Sequence, residues 1–531
     1  RSTLFPYTTL FRSPYRHASP LASLVHEKTG GNPFFAIQFV TALAEEGFLT
    51  FGYGTARWTW DLNRIHAKGY TDNVVELMVG KLNRLPGETQ EALQQLACLG
   101  NSAEFALLAI VSEDSEEAIH RKLWEAVRAA LVFRSEHSYR FLHDRVQEAA
   151  YSLIPEHLRA EAHLRIGRLL AAQTPPEKLE EAIFEIVNQL NRGSHLIVSV
   201  DERERVAALN FVAAKRAKIS AAYASALKYL AAGRALLTEE TWDHNYELIF
   251  DIERYTADCE LLTADMAAAE NRLSMLAQRA RSAHHVAIVT RLRLTLYTTL
   301  DRSDRSVEVC LEYLRHGGTD WSPHPTSEEV RREYDRIWSQ LGKREIEELV
   351  DAPLMTDPDL LDTLDVLAEL VTPAVFCDEN LSSLVICRMV NLSLEHGNSD
   401  GSCFAYVWFA IIAGPRFGNY KDGFRFGRLG YDLVENRALK RYQARTYMSF
   451  GNIVIPWTKH AREGRDLVRR AIDAAYRLGD LTFAAYSWNE LIANFLIVGD
   501  PLAEVQREAE NGLEFALRYM EIGRASCRER V

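Results

Sequence analysis

Apolar residues recur at i, i+3, i+4 and i+7 along most of this chain, the spacing of one helical face. Val146, Ala149, Ala150 and Leu153 follow it, and with His143-Asp144 ahead and Pro155 behind they predict a helix ending at Ile154. Asn32-Pro33 predicts another helix start, because Asn caps well and Pro suits the first helical position; that helix runs through Leu43. Further helices are predicted over 74–85 and 87–99, divided at Pro86, and over 118–129. The period shortens in two places. Phe48-Leu49-Thr50-Phe51 and Arg57-Trp58-Thr59-Trp60 flank a Gly52-Tyr53-Gly54 turn and read as a hairpin. Leu131-Val132-Phe133 and Tyr139-Arg140-Phe141-Leu142 read as two short strands around a polar turn. Helices ending in such a two-stranded wing make a winged-helix pattern.

From about residue 157 to 520 nearly everything reads helical. Breaks are expected at Gly193, Gly317-Gly318, Pro323-Pro325, Gly397 to Gly401, Gly479-Asp480 and Gly499-Asp500. Small residues cluster inside the helices, as in Ala213-Ala214, Ala221-Ala222 and Ala267-Ala268-Ala269, which lets neighbouring helices approach closely. Ala405-Tyr406-Val407-Trp408 returns as Ala485-Tyr486-Ser487-Trp488, a distance of two periods of roughly 40 residues, as in helix-pair solenoids. The expected fold class is therefore mainly α: a winged-helix domain followed by a tetratricopeptide-like α-solenoid, stacked into a curved array. An irregular all-helical domain stays open beside it, and the Pro-rich turn from Asp320 to Pro325 is a place where the array could divide.

Composition narrows the function classes. Against 61 Lys and Arg stand 73 Asp and Glu, a net charge of -12, which argues against binding nucleic acid by phosphate neutralisation. No apolar run is long enough to span a membrane. The seven cysteines are scattered without a C-x-x-C pair, which suits a reducing cytoplasm and speaks against a zinc site. The two ends are unusual. Back-translation of 521–531 with suitable codons, read on the opposite strand, encodes residues 4–13, so both ends are expected to be translated sequencing adapter, and the chain an internal piece of a longer protein.

Most catalytic motifs are missing. There is no G-x-x-x-x-G-K-[ST]; Gly80-Lys81 and Gly342-Lys343 lack the upstream glycine and the following Ser or Thr. There is no protein-kinase H-R-D or D-F-G, no G-x-S-x-G and no H-E-x-x-H. His157 and Glu161 share a helix face, but two ligands do not make a metal site, and His284-His285 reads as a solvated turn. Phe141 to Arg145 faintly resembles the phosphoacceptor box of histidine kinases, with Glu148 where the usual proline stands. Reading DNA would need a basic recognition helix, whereas 118–129 sets Arg121, Lys122 and Arg128 against Glu116, Glu117 and Glu125.

Two stretches carry a resemblance: Glu27 to Phe35, with Gly31-Asn32-Pro33, and Phe141-Leu142-His143-Asp144-Arg145. In this order they resemble the signalling ATPases of the STAND class. In that class a Gly-x-Pro turn packs its proline on adenine, and a Met-His-Asp motif in the winged helix puts its histidine near the β-phosphate of ADP. The resemblance implies that Pro33 contacts adenine, that His143 senses phosphate with Leu142 replacing the methionine, and that Gly31 and Asn32 support the turn. Asp72 to Met78, Lys81 to Pro86, Ala97 to Gly100 and Val146 to Ile154 are similar to the same region of large bacterial kinase regulators with an AAA-type ATPase. The implied organisation is 1–13 adapter-like, 14–70 end of the ATPase module, 71–156 winged helix, 157–320 helical repeats, 321–520 tetratricopeptide-like repeats and 521–531 adapter-like.

The function this implies is a regulatory segment of a multidomain bacterial signal-transduction ATPase or kinase. It would couple sensing by the repeats to an ATP/ADP switch, with the nucleotide held in the intact parent and not by this piece alone, and with no catalysis of its own. Partners would be a protein or peptide on the repeats and the missing upstream ATPase core, with no nucleic acid or membrane and no metal. An ATPase-linked transcriptional regulator and a nucleotide-independent repeat scaffold are the alternatives.

Overall fold

A computed structural model of the chain describes residues 15–53, 57–67 and 74–519. The adapter-like ends, the hairpin turn at Gly54, and Asp72-Asn73 fall outside the described residues. The chain is mainly α and forms two compact units, Arg1–Ala213 and Ala214–Val531. The repeats expected over 157–320 therefore begin in the first unit and end in the second. No helix among the described residues is long and apolar enough to cross a membrane.

The first unit holds two adjoining cores. Helices Tyr15–Thr29 and Pro33–Glu45 bury Leu24, Phe39 and Leu43 with Leu49 and Ile65. Strands β1 (Leu49–Gly52) and β2 (Arg57–Trp60) pair antiparallel in the expected hairpin, Leu49 opposite Trp60, and the hydroxyls of Thr50 and Thr59 meet across it at 2.9 Å. The second core gathers Met78, Leu93, Leu96, Leu123, Phe141 and Val146. Around it run Val74–Leu82, Gly87–Leu99, β3 (Ser102–Glu104), Phe105–Ser112, Glu116–Arg128, β4 (Val132–Arg134), β5 (Ser138–Phe141) and Asp144–Ser152. β5 lies between β3 and β4, antiparallel to both.

Two of these elements escape a reading by period. β3 is the three-residue Ser-Ala-Glu, too short to alternate and without a β-branched residue. Phe105–Ser112 is apolar on nearly every side, so it shows no amphipathic stripe. The helix pair Glu156–Gln173 and Leu179–Arg192 packs next in this unit, ending at Gly193.

In the second unit most helices pack on helices one or two places away in sequence, the contact pattern of a helical-repeat solenoid. Helices end at Gly317, Gly397, Gly479 and Gly499, as the glycine breaks predict. The Pro-rich turn does not divide this array: one continuous core runs from Ala287 and Leu314 before it to Leu364, Phe409 and Phe483 after it. Past the turn, Ser327–Leu341 starts in a capping box between Thr326 and Glu329 and packs against Glu379–His396, while Pro358–Cys377 returns to Ala283–Thr299 and Ser303–His316.

Small residues set the close approaches here. A Cβ on Gly464 would stand 1.8 Å from the carbonyl oxygen of Gly451, and one on Gly430 would stand 2.4 Å from that of Cys403. His284 and His285 correct an expectation, because they lie in the first turn of Ala283–Thr299 instead of a solvated turn. His285 is buried against Tyr246 and Phe250, and His284 meets Asp362 at 2.7 Å. Ser282 caps this helix through His285 N, and a serine among basic residues gave no sign of the buried aromatic wall behind it.

Candidate functional site

The site is built from two helix starts in the first unit. At the first, Gly30 and Gly31 take φ of +59° and +74°, which side chains rarely adopt. A Cβ on Gly31 would also come within 3.0 Å of the His26 ring. The chain then turns into Asn32, whose Oδ1 accepts from Phe34 N at 3.0 Å, and Pro33 occupies the first helical position. Pro33 is exposed, and Phe35 beneath it is buried.

At the second start the cap is His143 and not Asp144. The imidazole Nδ1 accepts from Arg145 N at 3.2 Å, leaving Asp144 as an acidic residue in the first turn. With Nδ1 accepting, the proton of the neutral ring sits on Nε2, and among the described residues no hydrogen bond is made by that atom. Leu142, the residue in the methionine position, is exposed.

The structure brings the two starts together. The His143 ring lies parallel to Phe34, centroids 5.4 Å apart at 13°, and tilts against Phe35 at 4.5 Å. The imidazole thus packs on the two residues that follow Pro33, more than a hundred positions earlier in the chain. Neither phenylalanine stands out as a site residue in the sequence. Their only signal is adjacency, since two aromatics directly after a helix-starting proline must face different ways, one inward and one along the surface.

Helix Val74–Leu82 braces this corner. It packs on Asp144–Ser152, and the Lys81 ammonium donates to Gln38 Oε1 and to the Ala129 carbonyl at 3.4 Å. Burial lowers the Lys81 pKa against the opposing pull of Glu45. The lysine of Gly80-Lys81 is therefore an internal strut between helices. Two of the three cations named in Glu116–Arg128 are also engaged, Lys122 with Asp114 at 2.6 Å and Arg128 with Glu125 at 3.0 Å, while Arg121 is exposed. Pairing within the protein leaves that helix poorly furnished to meet phosphates. No group of three or more His, Cys, Asp or Glu among the described residues is arranged to hold a metal. The six described cysteines are free thiols, and burial pushes Cys98 and Cys259 up to about 11, so they behave as small apolar residues.

No family model matches the chain. It is 24% identical over 600 aligned residues to the hybrid signal transduction histidine kinase G of Dictyostelium discoideum, an alignment covering 97% of this chain. The chain spans 18% of the length of that relative. Among solved structures it is similar to a signal transduction ATPase with numerous domains that carries a tetratricopeptide repeat sensor, from Pyrococcus horikoshii. That likeness covers 98% of this chain and 73% of the other at 14% identity, with a TM-score of 0.35, too loose a superposition to bear on function.

Proposed function

We propose that this chain is the regulatory segment of a larger signal-transduction protein, in which a nucleotide-responsive wing is joined to a helical-repeat sensor. The observation that carries the reading is the stacking of His143 on Phe34 and Phe35, directly behind Pro33. An exposed prolyl ring, two helix N-termini and an Nε2–H with no partner among the described residues stand at one corner. Free backbone N–H groups and a neutral imidazole donor suit a phosphate, and an apolar ring suits a purine. The helix order around β3, β4 and β5 supports reading this part as a winged helix, and the similarity to a hybrid histidine kinase runs over nearly the whole chain.

In this reading ADP in the intact protein bridges the Pro33 turn and His143 and holds the wing against the upstream ATPase core. Its loss frees the wing, a two-state switch biased by a ligand. The array supplies the signal, through a protein, peptide or small ligand. The test is nucleotide release from a longer chain that includes the upstream segment. His143→Ala should release a fluorescent ADP analogue at least several-fold faster than the unaltered protein; equal release rates would remove His143 from the switch.

A further inference from the structure

The second unit contains a cleft of about 690 Å³ between Ala283–Thr299, Ser303–His316 and the start of Pro358–Cys377. That size lies within the roughly 300–1,000 Å³ range of small-molecule sites. One wall is apolar, formed by Val286, Val289 and Leu360. Arg293 also lines the cleft. Its Nε is buried and has no hydrogen-bond partner, and among the described residues no ion pair reaches its guanidinium. Arg291 and Arg281 by contrast have carboxylate partners, Asp365 at 3.5 Å and Asp243 at 3.4 Å, although Arg291 Nε also lacks a hydrogen bond.

The acidic side of the cleft is divided in the same way. Asp362 is taken by His284, whereas Asp359 on the same helix and Glu312 on Ser303–His316 have no cation partner among the described residues. A buried donor without an acceptor is costly, and one ligand carboxylate would satisfy it. Two spare carboxylates lining the same cleft disfavour a simple anion and favour a ligand that carries a cation as well. We propose that this cleft binds a small zwitterion with an apolar body, its carboxylate on Arg293, its ammonium at Glu312 and Asp359, and its body on Val286, Val289 and Leu360. An apolar amino acid and a short peptide with free ends share that chemistry. The assignment rests on reading the array as the sensing part of the protein, but binding is measured here without any nucleotide.

The experiment is calorimetric titration of the full chain with L-leucine and, separately, with trileucine. Each is paired with its C-terminal amide and its N-acetyl form. One zwitterion should bind, and blocking either end should weaken it about tenfold or more, the scale of one lost charge-assisted contact. Arg293→Gln should weaken it likewise. Glu312→Gln does the same on an exposed side chain, so the test survives if the arginine variant does not fold. Binding of leucine alone assigns an amino acid; binding of trileucine alone assigns a peptide. The proposal is overturned if neither zwitterion binds, if the blocked forms bind equally well, or if both variants bind like the unaltered chain. Binding that persists while His143→Ala leaves nucleotide release unchanged would sink the switch and keep the cleft.

Discussion

The side-chain amide of Gln189 donates to the backbone carbonyl of Cys98 at 2.9 Å, across 91 residues of chain. It is the last link of a buried relay. Tyr151 O–H donates to His163 Nε2 at 2.9 Å, and His163 Nδ1–H donates to Gln189 Oε1 at 2.6 Å. The relay joins the helix that His143 caps, the first repeat pair and Gly87–Leu99, all within the first unit. It therefore ties the helix of the candidate site to the first repeat pair through side chains.

His163 in that relay predicts an acid-sensitive fold. The ring is 1% exposed, and burial lowers its pKa, with Arg192 adding to the effect and the Gln189 hydrogen bond opposing it. A lowered folded pKa means the neutral ring is favoured by folding, so its stability contribution is fully present above the unfolded value of 6.5. As pH falls below that value the unfolded chain takes up the proton first, and stability declines. Urea unfolding between neutral and mildly acidic pH should show this decline. His163→Leu should lose about 1–3 kcal/mol at neutral pH, from the stranded Tyr151 and Gln189 partners, and should show a flatter pH profile. An unchanged profile in the variant would place the acid sensitivity elsewhere.

The ring contact at the candidate site has its own energetic signature. A double-mutant cycle with Phe34→Ala and His143→Ala should return a coupling of about 0.5–1.5 kcal/mol. His143→Asn keeps a cap but not the stack, so it should retain part of the stability that His143→Ala loses. Chemical denaturation monitored by circular dichroism measures the two single variants, the double variant and His143→Asn. A coupling of zero would mean that the two helix starts are not held by this contact.

Arg445 is held between two carboxylates, Glu369 at 3.0 Å and Asp480 at 2.9 Å, with its guanidinium over the Phe483 ring. Arg445→Met strands both carboxylates in a buried setting and should cost about 3–5 kcal/mol. The surface pair Arg305–Glu308 provides the contrast, because both side chains are more than half exposed. Arg305→Ala should leave stability nearly unchanged. Thermal melts of the two variants side by side check the ranking.

Two glycines should respond in opposite directions to alanine. Gly80 is exposed within Val74–Leu82, and an added Cβ meets nothing within 4 Å, so Gly80→Ala should stabilise by about 0.4–1 kcal/mol. Gly464 faces the backbone of Gly451, which cannot step aside as a flexible side chain could. Gly464→Ala should lower the melting temperature by several degrees. Equal melting of both variants would contradict the close approach.

The sequence alone determined the mainly helical class, the hairpin at 49–60, the helix ends at glycine, and the two helix starts at Asn32 and His143. Each of these follows from local chemistry: apolar period, cap residues, and the φ that glycine alone adopts freely. Tertiary structure decided the rest, because it depends on which faces meet. It set the parallel rings of Phe34 and His143, drew β3 into the sheet by pairing it with β5, and buried His285 against Tyr246 and Phe250. It also separated two copies of one motif: Tyr406 is fully buried and donates to Asn398 at 2.9 Å, while Tyr486 is only partly buried beside Phe483. A short sequence fixes its own backbone preference, but the neighbours that desolvate and hydrogen-bond its side chains come from helices packed on it in space.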